Sequence, residues 1–235
     1  IRLEASVARV VVENARAVGV ELNSGELLWA RAVAANVGPK LLFRDLVDQK
    51  DVDPPLYRRF TNIKTGSGTF RMNVALSELP NFTARPGTKP DVHHGAGIVI
   101  APTMAYMERA YLDAKRDGWS HEPVVEMLIP SVLDGSLAPK GQHVASLFVQ
   151  HVAPKLMGGR SWDDQREKER FADVVIETVT KHAPNFRSSI LGMQVLSPLD
   201  LEMRFGLVDG DIFHGQLSLD QLFSMRPVLG YADYR

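Results

Sequence analysis

The sequence predicts a globular protein of the α/β to α+β class, because strands and helices are mixed along it without strict alternation. Strand-forming segments crowd the first 37 residues, and long amphipathic helical segments occur only in the middle of the chain. Hydrophobic residues make up 45% and charged residues 23% of the 235 residues, which is the composition of a folded soluble domain.

The N-terminal segment is predicted to form an antiparallel β-hairpin region. Strands are expected over residues 3–12 and 17–22, around the polar turn Glu13-Asn14-Ala15-Arg16. The Asn23-Ser24-Gly25 turn leads to a third strand over 27–30. Residues 32–35 are predicted to form a short fourth strand. Pro39 then suits the first turn of a helix that runs to about residue 47.

The middle of the chain begins after Asp53-Pro54-Pro55, which we interpret as a break in regular structure. Alternation predicts a half-buried strand over 69–74, and Thr103 is the expected N-cap of a helix that ends near residue 117. Further strands are predicted over 124–129, 144–152 and 190–196. A helix is predicted between the last two, behind Ser161 and Asp164 and stopped by Ala183-Pro184, and a short helix is predicted to start at Ser197-Pro198.

The charge balance, the absence of cysteine and the lack of a long apolar stretch limit the partners and the compartment that we expect. The 27 Lys and Arg residues against 28 Asp and Glu residues give a net charge of −1, which offers no electrostatic basis for binding nucleic acid. The absence of cysteine excludes disulfides and thiolate metal sites, and we expect a cytoplasmic protein. The longest weakly polar stretch, residues 95–107, is too short to cross a bilayer, so no transmembrane segment is expected.

Familiar catalytic motifs are missing from the chain. There is no GxGxxG, no GxxxxGK[ST] and no GxSxG, and Lys64-Thr65-Gly66-Ser67-Gly68 is interpreted as a loop entering a strand. The seven histidines have no metal-ligand spacing, so no metal site is predicted.

The candidate site residues are polar residues at the end of an apolar strand and between two glycines. Gln150 and His151 close an otherwise apolar strand and are either a strand end that reaches solvent or the lining of a cavity. His214 follows Gly210 and precedes Gly215, so it is either an exposed turn residue or a proton donor held close to a ligand.

Several segments together resemble a known family. Four segments are similar to the middle FAD-domain segment of phytoene-dehydrogenase-like oxidoreductases, relatives of the carotenoid desaturases and amine oxidases: Ser6-Val7-Ala8-Arg9-Val10, Arg16-Ala17-Val18-Gly19-Val20, Leu22-Asn23-Ser24-Gly25 and Ala30 to Asn36. Glu126-Met127-Leu128-Ile129-Pro130-Ser131 resembles the group's substrate-domain strands. The stretch from Gly210 to Met225-Arg226-Pro227 resembles the approach to its C-terminal flavin motif.

The resemblance implies a discontinuous FAD-binding domain with an inserted substrate domain, which has a mixed β-sheet and covering helices. The implied division is a partial FAD-binding domain over 1–48, a substrate domain over 49–205 and a return segment over 206–235. The implied reaction is hydride transfer from a small apolar substrate to the flavin. By the same resemblance, Val7, Asn36 and Arg226 bind the cofactor, Gln150, His151 and Gln216 line the substrate cavity, and His214 is the best catalytic candidate.

Both ends of the chain depart from the family pattern. The sequence starts at Ile1 within a strand-like pattern and lacks both the N-terminal GxGxxG and the glycine-rich C-terminal segment. We therefore expect a piece of a longer flavoenzyme that is inactive alone, binds FAD weakly or not at all, and self-associates through surfaces left exposed. The alternative is a non-catalytic binding or interaction module that kept the substrate domain without a flavin site.

Overall fold

The computed structural model describes residues 1–231 and divides them into two compact units. One unit contains Ile1–Gly66 and residues 212–231, and the other is Ser67–Asp211, which is therefore inserted in sequence between the two parts of the first. The observed borders lie at 66/67 and 211/212, whereas the predicted ones lay at 48/49 and 205/206. The assignment of an FAD-binding role to one unit and a substrate role to the other stays a prediction.

The first unit contains the predicted antiparallel hairpin region. Strands β1 (Val7–Glu13), β2 (Arg16–Leu22) and β3 (Leu27–Trp29) form a three-stranded antiparallel sheet in that order. Asn14 and Ala15 have φ values of 50° and 60° and make the tight turn between the first two strands. The predicted fourth strand over 32–35 is wrong, since in the described residues this sheet ends at β3 and residues 32–35 have no strand to pair with.

The helices of this unit follow strand β3 in the chain. Helix α1 (Pro39–Leu41) continues as a π-helical turn over Leu42–Leu46, and α2 spans Pro54–Thr61. The predicted break at Asp53-Pro54-Pro55 is therefore wrong: Asp53 is the N-cap, and proline fits the first helical positions, where no backbone N–H partner is needed. The stacked rings of Phe43 and Phe60, 4.0 Å apart, join the two helical segments in one apolar cluster.

The second unit is built on a five-stranded sheet. Its order is β5-β6-β7-β4-β8. The strands are β4 (Thr69–Leu76), β5 (Ile98–Ile100), β6 (Trp119–Leu128), β7 (His143–Val152) and β8 (Ile190–Leu196). The predicted mixed sheet is wrong, because every strand pair in the described residues is antiparallel. Strands β7 and β8 do run in the same direction, but β4 lies between them and pairs with both.

The predicted helices of this unit are present. Helix α3 (Met104–Asp117) starts at Thr103, whose side chain accepts the backbone N–H of Tyr106 at 3.1 Å. Helix α4 (Gln165–His182) starts at the Asp164 cap, and the short helix α5 spans Phe186–Ser189. Helix α6 (Pro198–Phe205) starts at a capping box in which Ser197 and Asp200 exchange hydrogen bonds. Single 3-10 turns lie at Gln49–Asp51, Pro130–Val132, Gly135–Leu137, Val208–Gly210, Leu219–Gln221 and Phe223–Met225.

One face of the sheet packs on α4 and forms the core. The apolar side of α4, with Phe171, Val175 and Val179, is fully buried against alternate residues of the strands. The ring of Phe171 lies 4.9 Å from Phe70 and 5.2 Å from Trp119. Among the helices that the structure describes, none has the length and apolar character needed to cross a membrane.

Candidate functional site

Six residues on the opposite face of the five-stranded sheet form the first candidate surface. Strand alternation directs them away from the core on α4, and we call this surface the open face: Arg71, Asn73, Glu126, Ser146, Phe148 and Gln150. The strand register places Phe148 directly between Arg71 on β4 and Glu126 on β6. A half-buried aromatic ring is thus flanked on both sides by charged residues.

Hydrogen bonds fix the polar groups of the open face. Gln150 Nε2 donates to Glu126 Oε1 at 2.5 Å, and Arg71 Nη2 donates to Ser146 Oγ at 3.0 Å. The guanidinium carbon of Arg71 lies 5.7 Å from the centroid of the Phe148 ring, within cation–π distance. The face therefore offers an apolar centre among polar groups whose directions are set before a ligand arrives.

The sequence predicted Gln150 as a site residue, but Arg71 and Glu126 were not predicted. Arg71 belongs to the polar side of the alternation predicted for residues 69–74, and Glu126 interrupts an apolar strand. Both residues could therefore have been identified as polar positions from the sequence alone. What could not be inferred was the register that places Glu126 across from Phe148 and within reach of Gln150.

His151 lies at the end of β7, next to Gln150. Its φ is 66°, a left-handed conformation that is uncommon for residues other than glycine. The half-buried ring meets the edge of Tyr111 on α3 with centroids 5.9 Å apart, and burial lowers the pKa of His151. The residue packs between the sheet and α3, and its predicted role as a cavity residue stays a prediction.

The second candidate cluster lies in the other unit and is organised by Arg226. This half-buried guanidinium donates from Nη1 to the carbonyl oxygens of Gly215 at 3.3 Å and Gln221 at 3.4 Å, and from Nη2 to that of Phe213. The planar fork of donors suits several carbonyls at once. Arg226 therefore positions the loop that contains His214 and Gln216, and its predicted contact with FAD stays a prediction.

Gln221 connects this loop to the chain near Lys64. Its Oε1 accepts the backbone N–H of Lys64 at 2.7 Å, and its Nε2 donates to the carbonyl oxygens of Lys64 at 2.9 Å and Gln216 at 3.0 Å. The backbone N–H of Gln216 donates to the Lys64 carbonyl at 2.7 Å. The buried amide of Gln221 thus satisfies main-chain groups of two segments that are far apart in sequence.

His214 is an exposed residue at the tip of this loop. Its φ is 57°, and a Cβ placed on Gly38 would lie 3.2 Å from His214 Nδ1. The ring thus lies close to Gly38, just before α1, and a side chain at that position would crowd it. Arg226 contacts the backbone on both sides of His214, and the predicted roles of His214, Gln216 and Arg226 stay predictions.

Val7 and Asn36 are the remaining predicted cofactor residues. Val7 starts β1 opposite Leu22, and Asn36 is exposed in the link between β3 and α1. Neither position belongs to a phosphate-binding turn: the 235 residues contain no GxGxxG, and residues 1–66 with 212–231 form no strand–glycine turn–helix unit. The residues present therefore do not make a pyrophosphate cradle for FAD.

A metal centre is not evident in these clusters. Within residues 1–231, no group of three or more His, Cys, Asp or Glu side chains is placed to hold a metal ion.

Several curated proteins are similar in sequence to this chain. It is 40% identical over 237 residues to the pyridine nucleotide-disulfide oxidoreductase domain-containing protein 2 of Rattus norvegicus. That alignment covers 99% of this chain and 41% of the rat protein. It is 29% identical over 206 residues to a chloroplastic prolycopene isomerase of Daucus carota, covering 84% of the chain and 29% of that protein. A lycopene-forming phytoene desaturase of Paracoccus sp. is 25% identical over 226 residues, covering 96% of the chain and 42% of that protein.

The chain spans less than half the length of these relatives. No family model matches it. Among solved structures, an oxidoreductase from Methanosarcina mazei aligns with a TM-score of 0.51 at 17% identity, over 81% of this chain and 36% of that one. That likeness shows the fold alone.

Proposed function

We propose that this chain, a homologue of the phytoene-dehydrogenase-like oxidoreductases, is the substrate-domain portion of an FAD-dependent oxidoreductase. Its sequence predicted this homology, and its similarity to the curated relatives supports it. The proposed reaction removes hydride from a small apolar substrate. The chemistry that bound FAD supplies is acceptance of that hydride by the flavin ring. Because the residues present make no pyrophosphate cradle, the groups that hold FAD phosphates would be outside these 235 residues.

The open face is the observation that supports this proposal most strongly. Ligand sites for apolar molecules combine an apolar lining with a few polar groups in fixed directions. Phe148 supplies the apolar centre, and the Glu126–Gln150 and Arg71–Ser146 hydrogen bonds supply the fixed polar groups. In the proposed enzyme, Phe148 contacts the substrate, and the paired polar groups limit the ways in which it can lie on the sheet.

The Arg226 cluster supports the proposed role of His214 and Gln216. A residue that acts near a reacting centre needs a fixed backbone, and the guanidinium of Arg226 and the amide of Gln221 fix this loop by at least six hydrogen bonds to main-chain groups. We propose that His214 and Gln216 face the substrate and the flavin when the complete enzyme is assembled.

Flavin occupancy tests the proposal. The complete open reading frame that encodes this chain is expressed beside the 235-residue chain alone, and both proteins are scanned for the visible absorption bands of oxidised flavin. We expect stoichiometric FAD in the first protein and weak or no FAD in the second. Absence of flavin from both, even after incubation with FAD, would contradict the proposal and favour a non-catalytic binding module.

A further inference from the structure

Arg71 on the open face uses little of its hydrogen-bonding capacity. A guanidinium carries five N–H donors and no acceptor. Within residues 1–231, the Arg71 side chain makes one hydrogen bond, from Nη2 to Ser146 Oγ at 3.0 Å, and no ion pair. Its contact with the Phe148 ring, 5.7 Å from the guanidinium carbon to the ring centroid, occupies no N–H group. Most of the donors of this half-buried cation are therefore left for another partner.

The other half-buried arginines in the part of the chain that the structure describes have the partners that Arg71 lacks. Arg160 donates to two main-chain carbonyl oxygens and lies 3.7 Å from a carboxylate oxygen of Glu167. Arg226 donates to three main-chain carbonyl oxygens. Removing a charged group from water is costly unless the protein or a ligand replaces the lost interactions. In Arg71 the protein replaces few of them.

The unused donors of Arg71 are accessible to a ligand. Within residues 1–231, the side-chain nitrogen and oxygen atoms that are both buried and unpaired belong to His93, His94 and Glu167. The Nε and Nη1 atoms of Arg71 make no hydrogen bond and are not among these buried atoms. They are therefore exposed at the surface of the sheet.

The strand register places apolar residues on both sides of Arg71. Its partner on β7 is Phe148, and its partner on β8 is Leu196. Glu126 is the partner of Phe148 on β6, so it lies two strands from Arg71, which is about 10 Å at the usual spacing of strands. Glu126 accepts from Gln150 and makes no ion pair in the described residues. A cation with apolar neighbours thus lies at one side of the Phe148 ring, and an anion lies at the other.

We propose that the open face binds a molecule with an apolar body and one carboxylate group, and that the free N–H groups of Arg71 hold the carboxylate. The planar fork of donors matches two carboxylate oxygens better than a single carbonyl or hydroxyl oxygen. Phe148 and Leu196 contact the part of the apolar body next to the carboxylate. The opposite placement brings the carboxylate to Glu126, which repels it, so the two charges also set the direction in which the molecule lies.

The identification of this molecule as the substrate rests on the proposed function, whereas its binding to the open face does not. Within the proposed enzyme, Arg71 is a specificity-determining residue. It narrows the apolar substrate to one that carries an acidic group.

The test uses two aromatic probes of the same shape, 2-naphthoate and its neutral amide, 2-naphthamide. Both are titrated by isothermal titration calorimetry into the complete protein and into the 235-residue chain. The same titrations are made on Arg71→Gln, which removes the charge and keeps an amide that can donate to Ser146. Arg204→Gln is the matched control, because Arg204 is exposed on α6. Glu126→Gln is the second test variant, since its amide oxygen can still accept from Gln150.

We expect the unmodified protein to bind 2-naphthoate about tenfold more tightly than 2-naphthamide, because hydrogen bonds between two charged groups are the stronger ones. Arg71→Gln should reduce this ratio to about one with the affinity for 2-naphthamide unchanged, and Arg204→Gln should keep the ratio. Glu126→Gln should tighten 2-naphthoate about twofold, the effect of one charge at about 10 Å in water, and leave 2-naphthamide unchanged.

Equal affinities for the two probes, no binding of either probe, or a ratio that persists in Arg71→Gln would overturn the proposal. If Arg71→Gln loses both probes together, Glu126→Gln decides: tighter binding of 2-naphthoate alone supports the proposal, and no change overturns it. Flavin occupancy of the same preparations tests the proposed function separately. FAD bound without a preference for 2-naphthoate would contradict the acidic ligand alone, and a preference without FAD would contradict the flavoenzyme alone.

Discussion

Gln150 Nε2 donates a 2.5 Å hydrogen bond to Glu126 Oε1 across strands β7 and β6, on the sheet face that carries Phe148. An amide is the right partner for this carboxylate because it satisfies one of its oxygens without adding charge. The pair therefore holds a charged group beside an apolar surface without a second charge.

Gln150→Glu tests this pairing. Two carboxylates at this distance repel and share one proton, so the folded variant binds a proton that the unfolded chain releases. Its stability should be lower than that of the unmodified chain by about 1–3 kcal/mol at pH 7, and the deficit should shrink as the pH falls toward 4. Urea unfolding at several pH values measures this difference.

Gln165→Glu is the matched control for that variant. Gln165 Nε2 also donates to a glutamate, Glu169, at 3.0 Å, but this pair is exposed on α4. Water screens repulsion there, so the control should change the free energy of unfolding by less than about 0.5 kcal/mol. Equal losses in the two variants would contradict the account of the open face.

Phe148→Ala should weaken substrate binding. If the ring contacts an apolar substrate, its removal should raise KM about tenfold, because burial of a phenylalanine contributes roughly 1.5–3 kcal/mol. Phe205→Ala, on an exposed residue of α6, is the control and should leave KM unchanged. The measurement is steady-state kinetics of the complete enzyme, and an unchanged KM in Phe148→Ala would exclude Phe148 from the substrate surface.

Arg226→Lys should loosen the loop around His214. A lysine cannot replace the planar fork that reaches the carbonyl oxygens of Phe213, Gly215 and Gln221, so some of them lose their partner. We expect a loss of about 1–3 kcal/mol in the free energy of unfolding, measured in urea. Arg44→Lys, at an exposed arginine paired with its neighbour Asp45, should cost less than about 0.5 kcal/mol.

His151 should make stability depend on pH. Burial lowers the pKa of His151 below its usual 6.5, so the unfolded chain binds a proton more readily than the folded chain does. The stability that the neutral His151 ring contributes is fully present above pH 6.5. It is lost as the pH falls through the lowered pKa that His151 has in the folded chain. His151→Asn, which tolerates the left-handed backbone, should remove this part of the decline between pH 7 and pH 5, and urea unfolding at several pH values measures it.

Gly68→Ala should destabilise the second unit. A Cβ at this position would lie 1.8 Å from the carbonyl oxygen of Val152, which is main chain and cannot move aside cheaply. The loss should be about 1–3 kcal/mol by thermal or urea unfolding. Gly192→Ala, where a Cβ would meet no atom within 4 Å, is the control and should have little effect.

The fold was predictable wherever local chemistry determines the structure. The cap at Thr103, the alternation of β4 and the Asn14–Ala15 turn all gave the correct elements, since each depends on a few adjacent residues. The helix after Asp53 was missed because Pro54-Pro55 was interpreted as a break and not as a helix start. Strand β5 was missed because three apolar residues within residues 95–107 show no period.

The candidate sites were less predictable because they depend on contacts between distant residues. Gln150 and His214 stood out by their flanking residues, but the partnership of Gln150 with Glu126 requires the register of β6 and β7. The role of Arg226 in the loop depends on carbonyl groups that no side-chain pattern reveals.

Flavin reduction by an apolar substrate tests the central claim most directly. The complete protein is loaded with FAD and mixed without oxygen with phytoene in detergent micelles, then with other apolar polyenes, while the visible flavin bands are recorded. We predict that at least one of these substrates bleaches the flavin, and that Phe148→Ala slows bleaching while Phe205→Ala does not. A protein that takes up no FAD, or a bound flavin that stays oxidised with every apolar polyene, would contradict it.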